Sequence, residues 1–307
     1  MTKISFLIAA HNEERIISQT LANLANLPYR DYEVIVGLDG CTDNTEIIVK
    51  NFARASNKIK YYSVNIRRGK PAVINFIIKK ARGDIIAIND ADWIFSAKNK
   101  AKLNKLLEVF EDPAVGGMAE SFPAEWDSQK LKSGNIWFKM VAYSSYFWLK
   151  FQKETFTYRE GQFNYLKRPE MFLTNIFRRK LYKENRSLGD DFERTYDIMS
   201  QGYKIAILDD ETMPRMIVSY NKLFLKDLFK QKIRTAVARK QISELHKIGL
   251  FDYYLPSVIY ILKESFRKKM TIVFLMLFWV FITSLGQVLS KFSRYDTKKG
   301  WTLRARR

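Results

Sequence analysis

Asp90-Ala91-Asp92 closes the apolar run Ile85–Ile88, so two carboxylates stand one residue apart at the end of a strand-like segment. Hard oxygen donors in that place suit Mg2+ or Mn2+, ions that keep several waters and complete their shell with diphosphate oxygens. A second acidic pair, Asp190-Asp191, follows Gly189. A carboxylate there can act as a base if it comes within hydrogen-bond reach of the proton it removes. The basic turn Arg67-Arg68-Gly69-Lys70 runs into Pro71. Proline suits a first helical position, and a helix N-terminus behind basic side chains favours anions. Two more polar turns follow apolar runs: Ala10-His11-Asn12-Glu13-Glu14, and Asp39-Gly40-Cys41-Thr42-Asp43-Asn44-Thr45, in which Asp43 is a helix N-cap candidate.

The elements that must position these groups alternate. Strands are expected at Ile4–Ala10, Glu33–Leu38, Ile59–Val64 and in the run ending at Asp90, with helices at about 13–27, 43–55 and 71–80. This pattern predicts a doubly wound, mainly parallel sheet, whose ligands bind at the carboxyl ends of its strands. Beyond Asp92 the expectations are a helix near 97–110, strands at Val115–Ala119, Met171–Phe177 and Lys204–Leu208, and, after the acidic stretch Leu188–Arg194, a helix to about Gln201. Residues Ile136–Phe151 mix Trp, Phe, Tyr and Met with lysines, a composition for either a buried helix or one in a membrane interface.

The chain has 307 residues, and its 52 Lys+Arg against 32 Asp+Glu leave a formal charge of +20. Such an excess attracts a polyanion, either nucleic acid or an anionic membrane. Cys41 is the only cysteine, so no intrachain disulfide forms and no cysteine zinc site can be built, which fits a reducing compartment. The apolar core of the first residues is too short for a signal peptide, so the catalytic part is expected to be cytoplasmic. Residues 223–269 read as basic, amphipathic interfacial helices and 270–290 as a transmembrane helix, followed by a basic tail, 291–307. The 21 residues Met270–Ser290 carry no charge and, at about 1.5 Å per residue, span a hydrocarbon core. Both flanks are basic, however. A re-entrant hairpin with Phe251–Leu262 as its first arm would place them on one side of the membrane.

Taken in order, the motifs resemble those of family 2 glycosyltransferases with the GT-A fold, the group of dolichyl-phosphate sugar synthases and polysaccharide synthases. The resemblance covers about residues 3–240, with 1–222 as the catalytic domain. It implies a Rossmann-like, nucleotide-diphospho-sugar transferase fold: a mixed, mainly parallel sheet flanked by helices, joined to C-terminal membrane-associated helices. It also implies donor contacts from Ala9, Asn12, Glu13, Asp39, Lys70, Asp90 and Gln231, with Asp39 accepting from the base and His11 near the nucleotide. Asp90 and Asp92 would hold the metal. Asp191 would be the general base, supported by Asp190, and Arg234 would neutralise diphosphate charge. Gln231-Lys232-Ile233-Arg234-Thr235 has Thr where processive synthases carry Trp, so the aromatic platform for an acceptor sugar is missing there.

The expectation is therefore a metal-dependent, inverting glycosyltransferase at the cell membrane. Its donor would be a nucleoside-diphosphate sugar, its acceptor a hydroxyl of a lipid-linked or surface glycan, and its lipid partners anionic. A polyprenyl-phosphate sugar synthase is the alternative within the class. Outside it stand a basic nucleic-acid-binding protein and a non-catalytic nucleotide-sugar-binding protein. No nucleic acid is expected as a partner, because the basic residues gather beside apolar helices and no nucleic-acid-binding motif is present.

Overall fold

The computed structural model describes residues 3–97, 99–120, 128–169, 173–208, 214, 216–218, 220–246 and 250–292. Two compact units emerge, one of residues 1–120, 158–186 and 190–219, the other of residues 121–157, 187–189 and 220–307. Residues 128–157 thus group with the C-terminal helices.

The first unit is built on a nine-stranded sheet of order β3-β2-β1-β4-β9-β6-β10-β8-β7. Its strands are β1 (Ile4–Ala10), β2 (Tyr32–Asp39), β3 (Ile59–Val64), β4 (Ile85–Ile88), β6 (Val115–Glu120), β7 (Thr157–Glu160), β8 (Phe163–Leu166), β9 (Leu173–Arg178) and β10 (Lys204–Leu208). A two-stranded sheet pairs β5 (Trp93–Phe95) with β11 (Met216–Val218). Helices α1 (Ile17–Ala25), α2 (Thr45–Ala55), α3 (Lys70–Ile77), α4 (Lys100–Glu108) and α7 (Asp190–Met199) complete the unit. Every residue of β1 and β2 is buried, as expected of central parallel strands covered on both faces. Fully buried Phe6 meets Tyr32 and Phe95 edge to face in this core.

Strands β3, β2, β1 and β4 run parallel. The chain winds outward from β1 to β3 and then crosses to β4 on the other side of β1, so the winding direction reverses between β1 and β4. Such a switch point opens a crevice at the carboxyl ends of its strands. Strand β9 then enters antiparallel between β4 and β6. The expected strand at Met171–Phe177 is this one, with Met171 and Phe172 outside the described residues. Helix α1 starts at Ile17, later than the expected residue 13. The intervening residues form a turn in which the Ile16 and Ile17 amides donate to the Glu13 carbonyl.

The second unit comprises α5 (Ser128–Ser133), α6 (Ile136–Phe156), α8 (Leu225–His246), α9 (Leu250–Phe266) and α10 (Met270–Ser290). Asn135 caps α6 by accepting from the Phe138 amide at 3.0 Å. Helix α10 packs against α8, α9 and α6 through Ile272, Val273, Met276, Trp279, Ile282 and Gly286. Its other face exposes Phe274, Leu277 and Phe281. Among the described residues it is the one helix long and apolar enough to cross a membrane. Most of the basic tail, 293–307, lies outside the described residues.

Helix α3 lies directly on β2 where Gly37 leaves room, since a Cβ there would stand 2.3 Å from Val73 Cγ1. Gly37→Val is expected to destabilise the protein by about 1–3 kcal/mol through overpacking, measured as a lower urea midpoint at unchanged slope.

Candidate active site

The acidic and basic motifs meet at one ammonium. Lys70 opens α3 and places Nζ 3.0 Å from Asp90 Oδ1 and 3.7 Å from Asp190 Oδ2. Asp90 lies just past β4, and Asp190 begins α7, so two acidic motifs about a hundred residues apart share this charge. Burial works against the Lys70 ammonium, but Asp190, Asp90 and Asp191 outweigh it and raise its pKa well above the usual lysine value. Asp190 is buried and also pairs with Arg194 Nη2 at 3.1 Å, one turn along α7. Arg194 is itself held by the Thr174 carbonyl at 2.7 Å and lies over the Phe177 ring. Asp191 is half-buried. Burial first, then repulsion from Asp190, raises its carboxyl above the usual carboxylate range, against the pull of Lys70 and Arg194.

The basic turn is set by Asp39, whose buried carboxylate accepts from the Arg68 amide at 2.6 Å and the Gly69 amide at 2.8 Å. The resemblance implied that Asp39 accepts from the nucleotide base. Here both of its oxygens hold the backbone that leads into α3. Gly69 has φ +89°, and Gly40 has φ +60° with Arg67 N only 2.9 Å from where a Cβ would sit, so the turn favours glycine at both positions. Arg67 Nε and Nη2 are buried without an acceptor among the described residues, beside a helix N-terminus that favours anions.

Asn12 takes the left-handed conformation at φ +54°. Its side chain accepts from the Thr42 amide at 2.8 Å and donates to Thr42 Oγ1 at 3.0 Å, which staples the first two turns together. Glu13 is buried, and its amide donates to Thr45 Oγ1 at 2.7 Å. Ala9 is a buried residue inside β1. His11 Nδ1 donates to the Asp39 carbonyl at 2.6 Å. Asp43 does not take the N-cap position, which falls to Asn44. Its two oxygens instead accept from the Thr45 and Glu14 amides, joining the turns.

Asp90 and Asp92, the latter buried, are the residues whose chemistry fits a divalent ion. Among the described residues no group of three or more His, Cys, Asp or Glu is placed to hold a metal. The donor set therefore suits an ion that takes its remaining ligands from water and diphosphate rather than from a closed protein cage. Gln231 and Arg234 lie on α8 in the helical unit, Gln231 exposed and Arg234 half-buried. Arg194 was missed from sequence, because the expected helix began after it; the i, i+4 spacing from Asp190 was the signal that could have found it.

Comparison with known proteins gives this arrangement its family. The profile described as Glycosyl transferase family 2 matches residues 5–185, more than half of the chain. The chain belongs to glycosyl transferase family 2. By family it is a glycosyltransferase, and its fold is GT-A. A mannosyltransferase from Pyrobaculum calidifontis, solved with GDP-Man and Mn2+, shares this fold with a TM-score of 0.55 at 18% identity, over 98% of this chain and 83% of that one. Poly-beta-1,6-N-acetyl-D-glucosamine synthase of Staphylococcus epidermidis is 34% identical over 115 residues, 38% of this chain and 27% of the relative. Beta-monoglucosyldiacylglycerol synthase of a Nostoc species is 38% identical over 93 residues, 29% of this chain and 20% of the relative. The matched stretches span less than a third of either relative's length.

Arg194→Met removes the partner of a buried carboxylate and is expected to cost about 3 kcal/mol of stability. Adding Asp190→Asn should restore part of that loss in urea unfolding. Full additivity of the two losses would show that the pair is not coupled.

Proposed function

We propose that this family 2 transferase moves a sugar from a nucleoside-diphosphate sugar to a hydroxyl of a lipid-linked or surface glycan, with inversion at the anomeric carbon. The observation that carries the reading is the meeting of Asp90 and Asp190 at Lys70, which puts the proposed diphosphate and acceptor motifs within one ammonium's reach. Asp191 takes the acceptor hydroxyl proton. The hydroxyl oxygen forms the new bond to the anomeric carbon while the bond to the β-phosphate oxygen breaks, its electron pair leaving with the nucleoside diphosphate. Arg67, Lys70 and the N-terminus of α3 face the charge that develops on the departing group. When bound by Asp90 and Asp92, Mg2+ or Mn2+ would supply Lewis-acid stabilisation of the diphosphate. Asn12, Glu13 and Ala9 shape the nucleotide side of the crevice, Asp39 holds the phosphate turn, and Asp190 orients the site. Gln231 and Arg234 are assigned to the donor diphosphate by the family resemblance.

The raised pKa of Asp191 supports a hydroxyl acceptor, because a hydroxyl needs a base whereas a lipid phosphate needs little help from one. The same resemblance, the charge of +20 and the exposed apolar face of α10 support a place at an anionic cell membrane, with the catalytic unit cytoplasmic.

Calorimetric binding of UDP, GDP and their common sugar conjugates, with Mn2+ or with EDTA, tests the donor reading. Wild type should bind one nucleotide in a metal-dependent way and Asp92→Ala should not. Absence of binding under every condition would sink it. Asp191→Asn should lower kcat by roughly 10²–10⁴-fold. The base must be deprotonated to act, so kcat should fall with decreasing pH through a pKa above the usual carboxylate range. Removal of the Asp190 charge should move that limb to lower pH. For the membrane reading, Phe274→Lys with Phe281→Lys should cut flotation with phosphatidylglycerol vesicles by at least roughly tenfold. Retention on nucleic acid but not on vesicles would instead favour the nucleic-acid rival.

A further inference from the structure

Among the described residues of the helical unit, half-buried Lys232 and buried Arg239 are paired with no carboxylate. Lys232 and Arg239 stand about two turns apart on α8 and so point to one side of it. Lys232 Nζ lies 4.7 Å from the centre of the Trp279 ring. The Arg239 guanidinium lies between the rings of Trp148, at 5.0 Å, and Tyr254, at 4.7 Å. Helices α8 and α10 come very close here, because a Cβ on Gly286 would stand 3.0 Å from Lys232 Cβ. Gln287, one residue on, lies with Arg239 beside the Tyr254 hydroxyl. Trp279, Thr283 and Gln287 recur at helical spacing and form one stripe of α10.

Beyond the Tyr254 hydroxyl, the seam is short of acceptors among the described residues. Arg239 Nε, Trp279 Nε1, Thr283 Oγ1 and Gln287 Nε2 are all buried without a hydrogen-bond partner among the described residues. Ring faces balance the flat side of a guanidinium but leave its in-plane N–H groups wanting an oxygen. Burial, and then the like charge of Arg239, push the Lys232 ammonium down to about 7. Three described acids of the unit pair with other groups: Glu264 with Lys150 and Arg267, Glu154 with Lys150 and the Tyr260 hydroxyl, and Glu244 with Lys240. Buried polar groups are almost always paired, so the Arg239 Nε edge and the unpaired Trp279 and Thr283 donors beside Lys232 describe the outline of an absent acceptor.

We propose that the seam between α8 and α10, lined by Lys232, Arg239, Trp279, Thr283 and Gln287, binds a phosphate group. A phosphate offers several acceptor oxygens at tetrahedral angles, which suits a guanidinium edge, a point-charge ammonium and neutral N–H donors arriving from two helices. The phosphate belongs either to a lipid headgroup or to a free phosphate. This site is independent of the transferase reading, since none of its residues takes part in the proposed transfer.

The test is calorimetry on the full chain with two probes. One is inorganic phosphate added to protein in dodecyl maltoside. The other is phosphatidylcholine nanodiscs with and without phosphatidic acid. Wild type is expected to bind at least one probe: response to both marks a free-phosphate pocket, and response to phosphatidic acid alone marks a headgroup site. Lys232→Met and Arg239→Gln should each weaken that binding roughly tenfold or more, the worth of a charge-assisted hydrogen bond. Thr283→Val removes one hydroxyl at nearly constant volume and should weaken it by a smaller factor. Should Arg239→Gln fail to melt like wild type, Lys232→Met and Thr283→Val carry the test. Binding of neither probe by wild type, or binding that no folded variant alters, would overturn the proposal.

Discussion

The charge of Lys70 is the constraint around which the catalytic unit is arranged. Carboxylates at the ends of β4 and α7 cannot be brought together in a partly buried crevice without a cation, because like charges raise each other's cost of ionisation. Lys70 supplies that cation for Asp90 and Asp190, and Arg194 shares Asp190 from the far side. Asp191 stands next to this balance, and its carboxyl is raised by burial and then by the Asp190 charge, while Lys70 and Arg194 pull it down. Its basicity is thus set by burial and tempered by the cations around it. The ammonium must also be presented at the right height, which falls to Asp39 through the Arg68 and Gly69 amides.

Much of this was legible in the residues. Short apolar runs alternating with amphipathic stretches placed β1 to β4 within a residue or two, and glycine before Lys70-Pro71 marked the start of α3. What sequence could not show was which group claims each lone pair. The resemblance makes Asp39 a ligand and its position makes Asp43 a cap candidate; in the structure the oxygens of both serve backbone amides of neighbouring turns. The antiparallel entry of β9 was hidden as well, because a strand's own residues do not record its direction relative to its neighbours. The short strands β5, β7, β8 and β11 carried too few residues for a period to be read.

The C-terminal helices show the opposite problem. Met270–Ser290 is apolar all round, so its sequence reads as a uniform span. In the structure it has two unlike sides. One packs on α8, α9 and α6 and contains Gly286, Trp279 and the polar stripe, and the other exposes Phe274, Leu277 and Phe281. A helix whose inner side is committed to three neighbours cannot be treated as an isolated rod in lipid. Any membrane seat it takes must accommodate those neighbours and the lysines and arginines they bear.

Strand β9 descends antiparallel from the catalytic edge, so the chain must climb back before α7 can begin there. The climb is fastened to α3 and the turn that follows it: Tyr182 OH donates to Asn75 Oδ1, which also accepts the Asn185 amide at 3.0 Å, and Lys79, in the 3-10 turn Ile78–Lys80, pairs with Glu184. One helix therefore mounts both Lys70 and the segment that delivers Asp190 and Asp191. If α3 shifts along its axis, ammonium and carboxylates travel as one piece. Positional error is then common to both partners and largely cancels from the distance between them, the quantity on which the charge balance depends.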